Sequence, residues 1–190
     1  MKEEKLQGKT ALVTGASKRI GREICFALAG EGLNVVIHYN SSKEDAKRLC
    51  AELADYEVNS WLVKADFENS REYNNLIHRS LKIAGSLDIL VNNASVFLPG
   101  RLKQMSFEDL RLHMQVNAWV PLVLSREFAR LVKRGKIINL LDARIKGYDW
   151  RHVPYILSKH VLSVLTEMMA LEFAPEVTVN GIAPGLILPP

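Results

Sequence analysis

The sequence predicts an α/β protein built as three layers, α/β/α, with a doubly wound parallel sheet in the middle. Two patterns predict it. Short apolar runs alternate with longer amphipathic ones along the 190 residues, the βαβα order that lets a crossover helix return the chain to each parallel strand. The first apolar run also ends in Thr14-Gly15-Ala16-Ser17-Lys18-Arg19-Ile20-Gly21 and leads straight into a helical pattern. In sheets of this kind such a turn offers backbone N–H groups and the positive end of a helix to an anion.

The elements follow in order. Strands are expected at 10–14, 34–38, 60–64, 87–91, 136–141 and 178–181, where β-branched and other apolar residues cluster in short runs. Helices are expected between them at 20–30, 43–54, 71–84, 107–133 and 153–174. Ser42 with Asp45, and Ser106 with Asp109, have capping-box spacing with Asp in place of Glu. Gly135 follows a helix end. Pro154 suits a first helical turn, and Pro121 inside a helical pattern predicts a kink. The segment 153–173 is apolar on more than one face, which fits either a subunit interface or core packing.

Composition bounds the function. A net charge of +4 is spread along the chain rather than gathered in a run; it reads as a solvated surface with a share for an anionic cofactor. No basic stripe interleaved with aromatics supports nucleic-acid binding. Cys25 and Cys50 have no metal-ligand or CxxC spacing and read as reduced thiols, so no metal is expected. Residues 1–8 are charged, unlike a signal peptide, and no apolar stretch is long enough to span a bilayer, so the expected location is cytoplasmic.

The turn after the first strand resembles the T-G-x-x-x-G-x-G turn of the short-chain dehydrogenase/reductase family: Thr14, Gly15 and Gly21 match, and Arg19 replaces the middle glycine. Further matches follow. Asp66 resembles the aspartate facing the adenine, with Phe67 beside it, and Asn92-Asn93-Ala94 resembles the N-N-A motif. Asn117 lies in the fourth helix, Tyr155 and Lys159 are four apart on one helix face, and Pro184-Gly185 resembles the turn beside the nicotinamide. The resemblance runs from Gly8 to Pro190 and implies a Rossmann-type dinucleotide fold. It also implies one dinucleotide-binding and catalytic domain over 1–190. The family continues past Pro184-Gly185 with a substrate loop, a helix and a last strand, which would then be missing, either from a fragment or from a short homologue.

After the second strand the chain reads His38-Tyr39-Asn40-Ser41-Ser42-Lys43, with no carboxylate before Glu44 to repel a 2′-phosphate. With Lys18 and Arg19 this favours NADPH. The expected cofactor-binding set is Gly15, Lys18, Arg19, Ile20, Gly21, His38, Tyr39, Asn40, Ser41, Ser42, Asp66, Phe67, Asn93, Ala94, Ser95, Lys159, Pro184 and Gly185.

Lysine ammonium beside phenol lowers a phenol pKa, so Lys159 is expected to make Tyr155 a proton donor near neutrality. The informative departure is Asp142, thirteen residues before Tyr155, where the family places serine. An ionised carboxylate cannot donate a hydrogen bond to a carbonyl oxygen but can accept one from an amino group or ring N–H. Arg19, Ser95, Phe97 and Asp142 together resemble the pteridine reductase branch. That resemblance implies catalytic residues Asp142, Tyr155, Lys159 and Asn117, with Asn117 holding a water chain and Asp142 linked to Tyr155 through water. It implies substrate contacts at Arg19, Ser95, Phe97, Asp142 and Tyr155, with Phe97 stacking a pterin. The expected protein is a homodimeric or homotetrameric NADPH-dependent reductase of a pterin or dihydrofolate-like C=N bond. Two alternatives stay open: a 3-oxoacyl-thioester ketoreductase of the same family, and a non-catalytic NADP(H)-binding homologue.

Overall fold

The strands form where the apolar runs are, and those at Thr10–Val13, Asn34–Tyr39 and Ile89–Asn92 are buried along nearly their whole length. A computed structural model describes residues 5–146 and 149–187. The strands are β1 (Thr10–Val13), β2 (Asn34–Tyr39), β3 (Ser60–Lys64), β4 (Ile89–Asn92), β5 (Gly135–Leu140) and β6 (Val177–Ile182). The helices are α1 (Arg19–Gly30), α2 (Lys43–Leu53), α3 (Ser70–Asn74), α4 (Leu76–Ala84), α5 (Phe107–Met114), α6 (Val120–Leu131) and α7 (Val153–Glu172). Together they make a parallel Rossmann-type α/β fold.

The chain divides into two compact units, Met1–Asn93 and Ala94–Pro190. In the first, the order is β3-β2-β1-β4, all parallel, with Leu12 opposite Val36 on one side and Leu90 on the other. These three side chains are wholly buried, as are Ile37, Leu49, Leu53, Leu76 and Ile77. In the second unit β5 and β6 pair in parallel, Ile137 opposite Val179, over a core that includes Phe128, Leu124 and Leu162.

Several boundaries differ from expectation for local reasons. The helix expected at 71–84 breaks at Asn75, whose side-chain amide donates to the Arg71 carbonyl and competes with the helical ladder. The helix expected at 43–54 stops at Leu53 and tightens into a 3₁₀ turn, Ala54–Tyr56. Ser42 precedes that helix without capping it, and Asp45 pairs with Lys18 at 2.9 Å rather than closing the box. The Ser106–Asp109 capping box forms in full. Gly135 does not end a helix: α6 stops at Leu131, Val132 is extended, and Gly135 opens β5.

The helix expected at 107–133 is interrupted by a π turn, Gln115–Trp119. Pro121 has no N–H for the carbonyl four residues back, and the Val120 N–H bonds instead to Gln115, five back. Asn117 lies inside this turn. Helix α7 carries Pro154 in its first turn and buries Tyr155, Ser158, Lys159, Leu162, Thr166 and Met169. Its other face leaves Leu157, Val161, Val164, Met168 and Leu171 exposed at alternating spacings of four and three.

Candidate active site

In the first unit the turn between β1 and α1 is shaped by glycine at two places. Gly15 has φ +60°, in the left-handed region. A Cβ on Gly21 would lie 2.3 Å from the Gly15 carbonyl oxygen and 2.6 Å from Asn93 Nδ2, so only glycine fits. Asn93 stitches the turn to the end of β4: its N–H donates to Thr14 Oγ1, and its amide donates to the Thr14 and Gly15 carbonyls at 2.8 and 3.1 Å.

His38 holds the turn from the other side. The Gly15 N–H donates to His38 Nδ1 at 3.0 Å, which puts the imidazole proton on Nε2, facing the Ala65 carbonyl at 3.0 Å. The ring stacks on Phe67, 4.5 Å between centroids. Burial holds His38 neutral, its pKa lowered to about 4. His38 and Phe67 are thus both buried and spent on each other and on the turn.

Past the turn, no side chain caps the N-terminus of α1 and its first turn holds no acid, which leaves a cradle for a pyrophosphate. Lys18 and Arg19 are exposed there, Ile20 half-buried. Arg19 takes φ +51°, the conformation usually left to glycine. Tyr39 is buried at the end of β2; Asn40, Ser41 and Lys43 are exposed, Ser42 half-buried. Asp66 accepts the Glu68 N–H on Oδ1 at 2.9 Å and lies 3.4 Å from the Asn40 amide.

The second unit holds the other expected residues. The Tyr155 hydroxyl donates directly to Asp142 Oδ2 at 2.8 Å, with no bridging group. Burial and then the Asp142 carboxylate push the phenol well above its ordinary range. Lys159 does not outweigh them. The lysine is buried, donates to the Leu140 carbonyl at 2.6 Å, and stands 5.7 Å from the Tyr155 ring centre. Burial lowers Lys159 to about 8, against the pull of Asp142. The expected lysine-tuned phenol is therefore replaced by a carboxylate-held one.

Asn117 spends its side chain within the protein. Its Oδ1 accepts the Val96 N–H at 2.8 Å and the Ser95 hydroxyl at 3.1 Å; its amide donates to the Val96 carbonyl and to Ser158 Oγ. It braces the 95–97 segment against α7, and a water chain is not what its side chain holds. Phe97 is 47% exposed and meets Tyr155 edge-on at 4.7 Å. One of its faces is already stacked on the His152 imidazole at 4.0 Å, a contact the sequence did not suggest. The Pro184 carbonyl accepts the Ala143 N–H, and Gly185 is exposed.

Arg144 was missed altogether. Its guanidinium grips Asp142 with two parallel hydrogen bonds, 2.9 Å to Oδ1 and 2.7 Å to Oδ2, and reaches Asp149 with a third at 2.7 Å. The usable signal was an Asp and an Arg two apart on one loop. Burial raises Asp142, but the bonds and charge of Arg144, with the Tyr155 hydroxyl, outweigh it and hold the carboxyl below its usual range.

Residues 9–190 match the family described as short chain dehydrogenase. Among curated relatives, the chain is 34% identical over 185 residues to a 3-oxoacyl-[acyl-carrier-protein] reductase, FabG, of Staphylococcus aureus, covering 95% of this chain and 75% of that protein. It is 33% identical to the oxidoreductase UcpA of Salmonella typhimurium, covering 98% and 72%. Among solved structures it superposes with a TM-score of 0.92 on FolM alternative dihydrofolate reductase 1 from Brucella canis complexed with NADP, at 30% identity, covering 98% of this chain and 77% of that one. The turn, the sheet and the Tyr155/Lys159 helix thus sit in a chain that belongs to the short-chain dehydrogenase family.

Proposed function

We propose that the chain is an NADPH-dependent reductase that adds a hydride to a C=N carbon of a pterin or dihydrofolate-like ring and a proton to its nitrogen. The observation that carries this reading is the 2.8 Å hydrogen bond from Tyr155 to Asp142. Where a ketone reductase needs a second donor for the carbonyl oxygen, this site presents an ionised acceptor, whose Oδ2 can take an N–H of a nitrogen heterocycle in place of the Tyr155 hydroxyl. The Brucella canis protein with which it superposes is named as a dihydrofolate reductase and carries NADP.

The cradle of Gly15, Lys18, Arg19, Ile20 and Gly21 fits a pyrophosphate; exposed Asn40, Ser41 and Lys43 fit a 2′-phosphate, with the nearby Asp45 paired to Lys18 at 2.9 Å. When bound, NADPH supplies the hydride. The chain's own residues do the rest. Tyr155 stays protonated through the neutral range and gives its proton to the substrate nitrogen, then recovers one from solvent. The Lys159 ammonium offsets the charge left on the phenolate. Phe97 offers its remaining surface to a flat ring. Asn117 fixes Ser95 and Phe97 against α7. The exposed apolar stripe on α7 supports self-association as a homodimer or homotetramer.

The second reading is a 3-oxoacyl-thioester ketoreductase, favoured by the identity to the Staphylococcus aureus enzyme. NADPH oxidation with dihydropterin, dihydrofolate and acetoacetyl thioester, in the native chain and in Asp142→Ser, separates the two. Pterin turnover lost in Asp142→Ser is the expected result. Thioester turnover alone would overturn the pterin reading, and tight NADPH binding without turnover would point to a non-catalytic homologue.

A further inference from the structure

We infer that Arg144 is a positioning residue for the proton donor, clamping the Asp142 carboxylate in the one orientation that accepts the Tyr155 hydroxyl. The inference rests on the reading of Tyr155 as the acid.

The geometry leaves Asp142 no freedom. Its Oδ1 accepts both the Arg144 backbone N–H at 2.8 Å and Arg144 Nε at 2.9 Å. Its Oδ2 accepts Arg144 Nη2 at 2.7 Å and Tyr155 at 2.8 Å. Rotating the carboxylate breaks all four bonds at once. A planar fork can do this and an ammonium cannot, because it must meet both oxygens in one plane.

The clamp is itself anchored. Arg144 Nη1 donates to Asp149 Oδ2, and Asp149 is held by the Arg151 N–H and by His152 Nδ1, each at 2.9 Å. The guanidinium also lies 5.1 Å from the Phe97 ring centre and 5.4 Å from that of Tyr155. Phe97, Arg144, Asp149 and His152 thus form one closed ring of contacts around the acid pair.

Charge makes the clamp more than a brace. Asp142 faces Arg144 on its own loop and Tyr155 and Lys159 on α7; Asp149 and His152 lie one contact further on. The Asp142 side chain is only 13% exposed. Burial alone would favour its neutral form, a weaker acceptor that also carries a donor O–H. The Tyr155 hydroxyl would then lose its charged acceptor. Arg144 keeps Asp142 ionised and its Oδ2 turned toward the phenol.

The test uses the full chain carrying ¹³C-carboxyl aspartate, with the Asp142 resonance assigned by its loss in Asp142→Asn. The carboxyl is titrated without cofactor, and kcat is measured against pH with both the pterin and the thioester. In Arg144→Gln the Asp142 titration is expected to move up by about 1–3 pH units, the span an adjacent arginine imposes, with the acid limb of kcat moving the same way. Arg144→Lys, which keeps the charge and the fold but not the fork, is expected to move it by less. An unmoved Asp142 titration in either variant overturns the inference, as does a uniform fall in kcat with the pH profile intact. Should neither substrate turn over, the functional reading fails, while the titration still decides for or against Arg144.

Discussion

His38 makes the fold sensitive to mild acid, and the size of the effect can be worked from its surroundings. The imidazole is neutral chiefly because burial excludes water, against the opposing pull of the Ala65 carbonyl on Nε2, and its Nδ1 accepts the Gly15 N–H. Its pKa drops from 6.5 to about 4 on folding. A base whose folded pKa is lowered contributes stability that is complete above its unfolded value. As pH falls below 6.5 the unfolded chain takes up a proton that the folded chain refuses, so stability is lost until about pH 4. At 1.36 kcal/mol per unit, the loss across that window is about 3 kcal/mol. Urea titrations at a series of pH values read it directly. His38→Asn keeps an acceptor for the Gly15 N–H but cannot titrate, so the difference in slope between the two proteins isolates this residue. Equal slopes between pH 6.5 and 4 would refute the argument. NADPH affinity of the folded chain should hold across this window and fall only toward about pH 4, where His38 itself takes up the proton and repels the N–H that sets the turn.

Two further outcomes concern the turn itself. Gly21→Ala forces a methyl onto the Gly15 carbonyl and the Asn93 amide. It should cost about 1–3 kcal/mol, a fall in Tm of roughly 2–12 °C for a chain of this size, and an unchanged Tm would show that the contact yields. Arg19→Gly relieves a left-handed backbone worth about 1 kcal/mol, nearly offset by the freedom of glycine in the unfolded chain. Its Tm should stay level or rise slightly while the NADPH Kd rises several-fold; a level Kd would remove Arg19 from the cofactor site.

The strands were legible because a buried parallel strand must be apolar along its length, a demand that β1, β2 and β4 come nearest to meeting. The helix breaks were not. Asn75 ends a helix through its own side chain, and the π turn at Gln115–Trp119 arises from a donor that Pro121 lacks; Pro121 announced a disturbance but not its form. The residues now gathered around Tyr155 were readable as a set, since Asp142, Tyr155 and Lys159 lie close in sequence and Ser95 and Phe97 follow a motif. What joins them was not. Arg144, Asp149 and His152 act through hydrogen bonds that depend on how a loop folds back, and their spacing alone fits any solvated loop. The same gap explains the Tyr155 error. Spacing placed Lys159 on the same helix face, while the direction of its ammonium, toward the Leu140 carbonyl, is a tertiary fact.

The π turn carries a consequence for chain length. It is an α-helix with one residue too many, held at the point where Asn117 must reach Val96, Ser95 and Ser158 simultaneously. Excising a single residue from Gln115–Trp119 would remove the extra residue while Pro121 still withholds its N–H. It would also swing everything before the cut by about 100° around the axis and draw it in by about 1.5 Å. A deletion of one residue far from Tyr155 in sequence would thus leave Ser95 and Phe97 without their anchor.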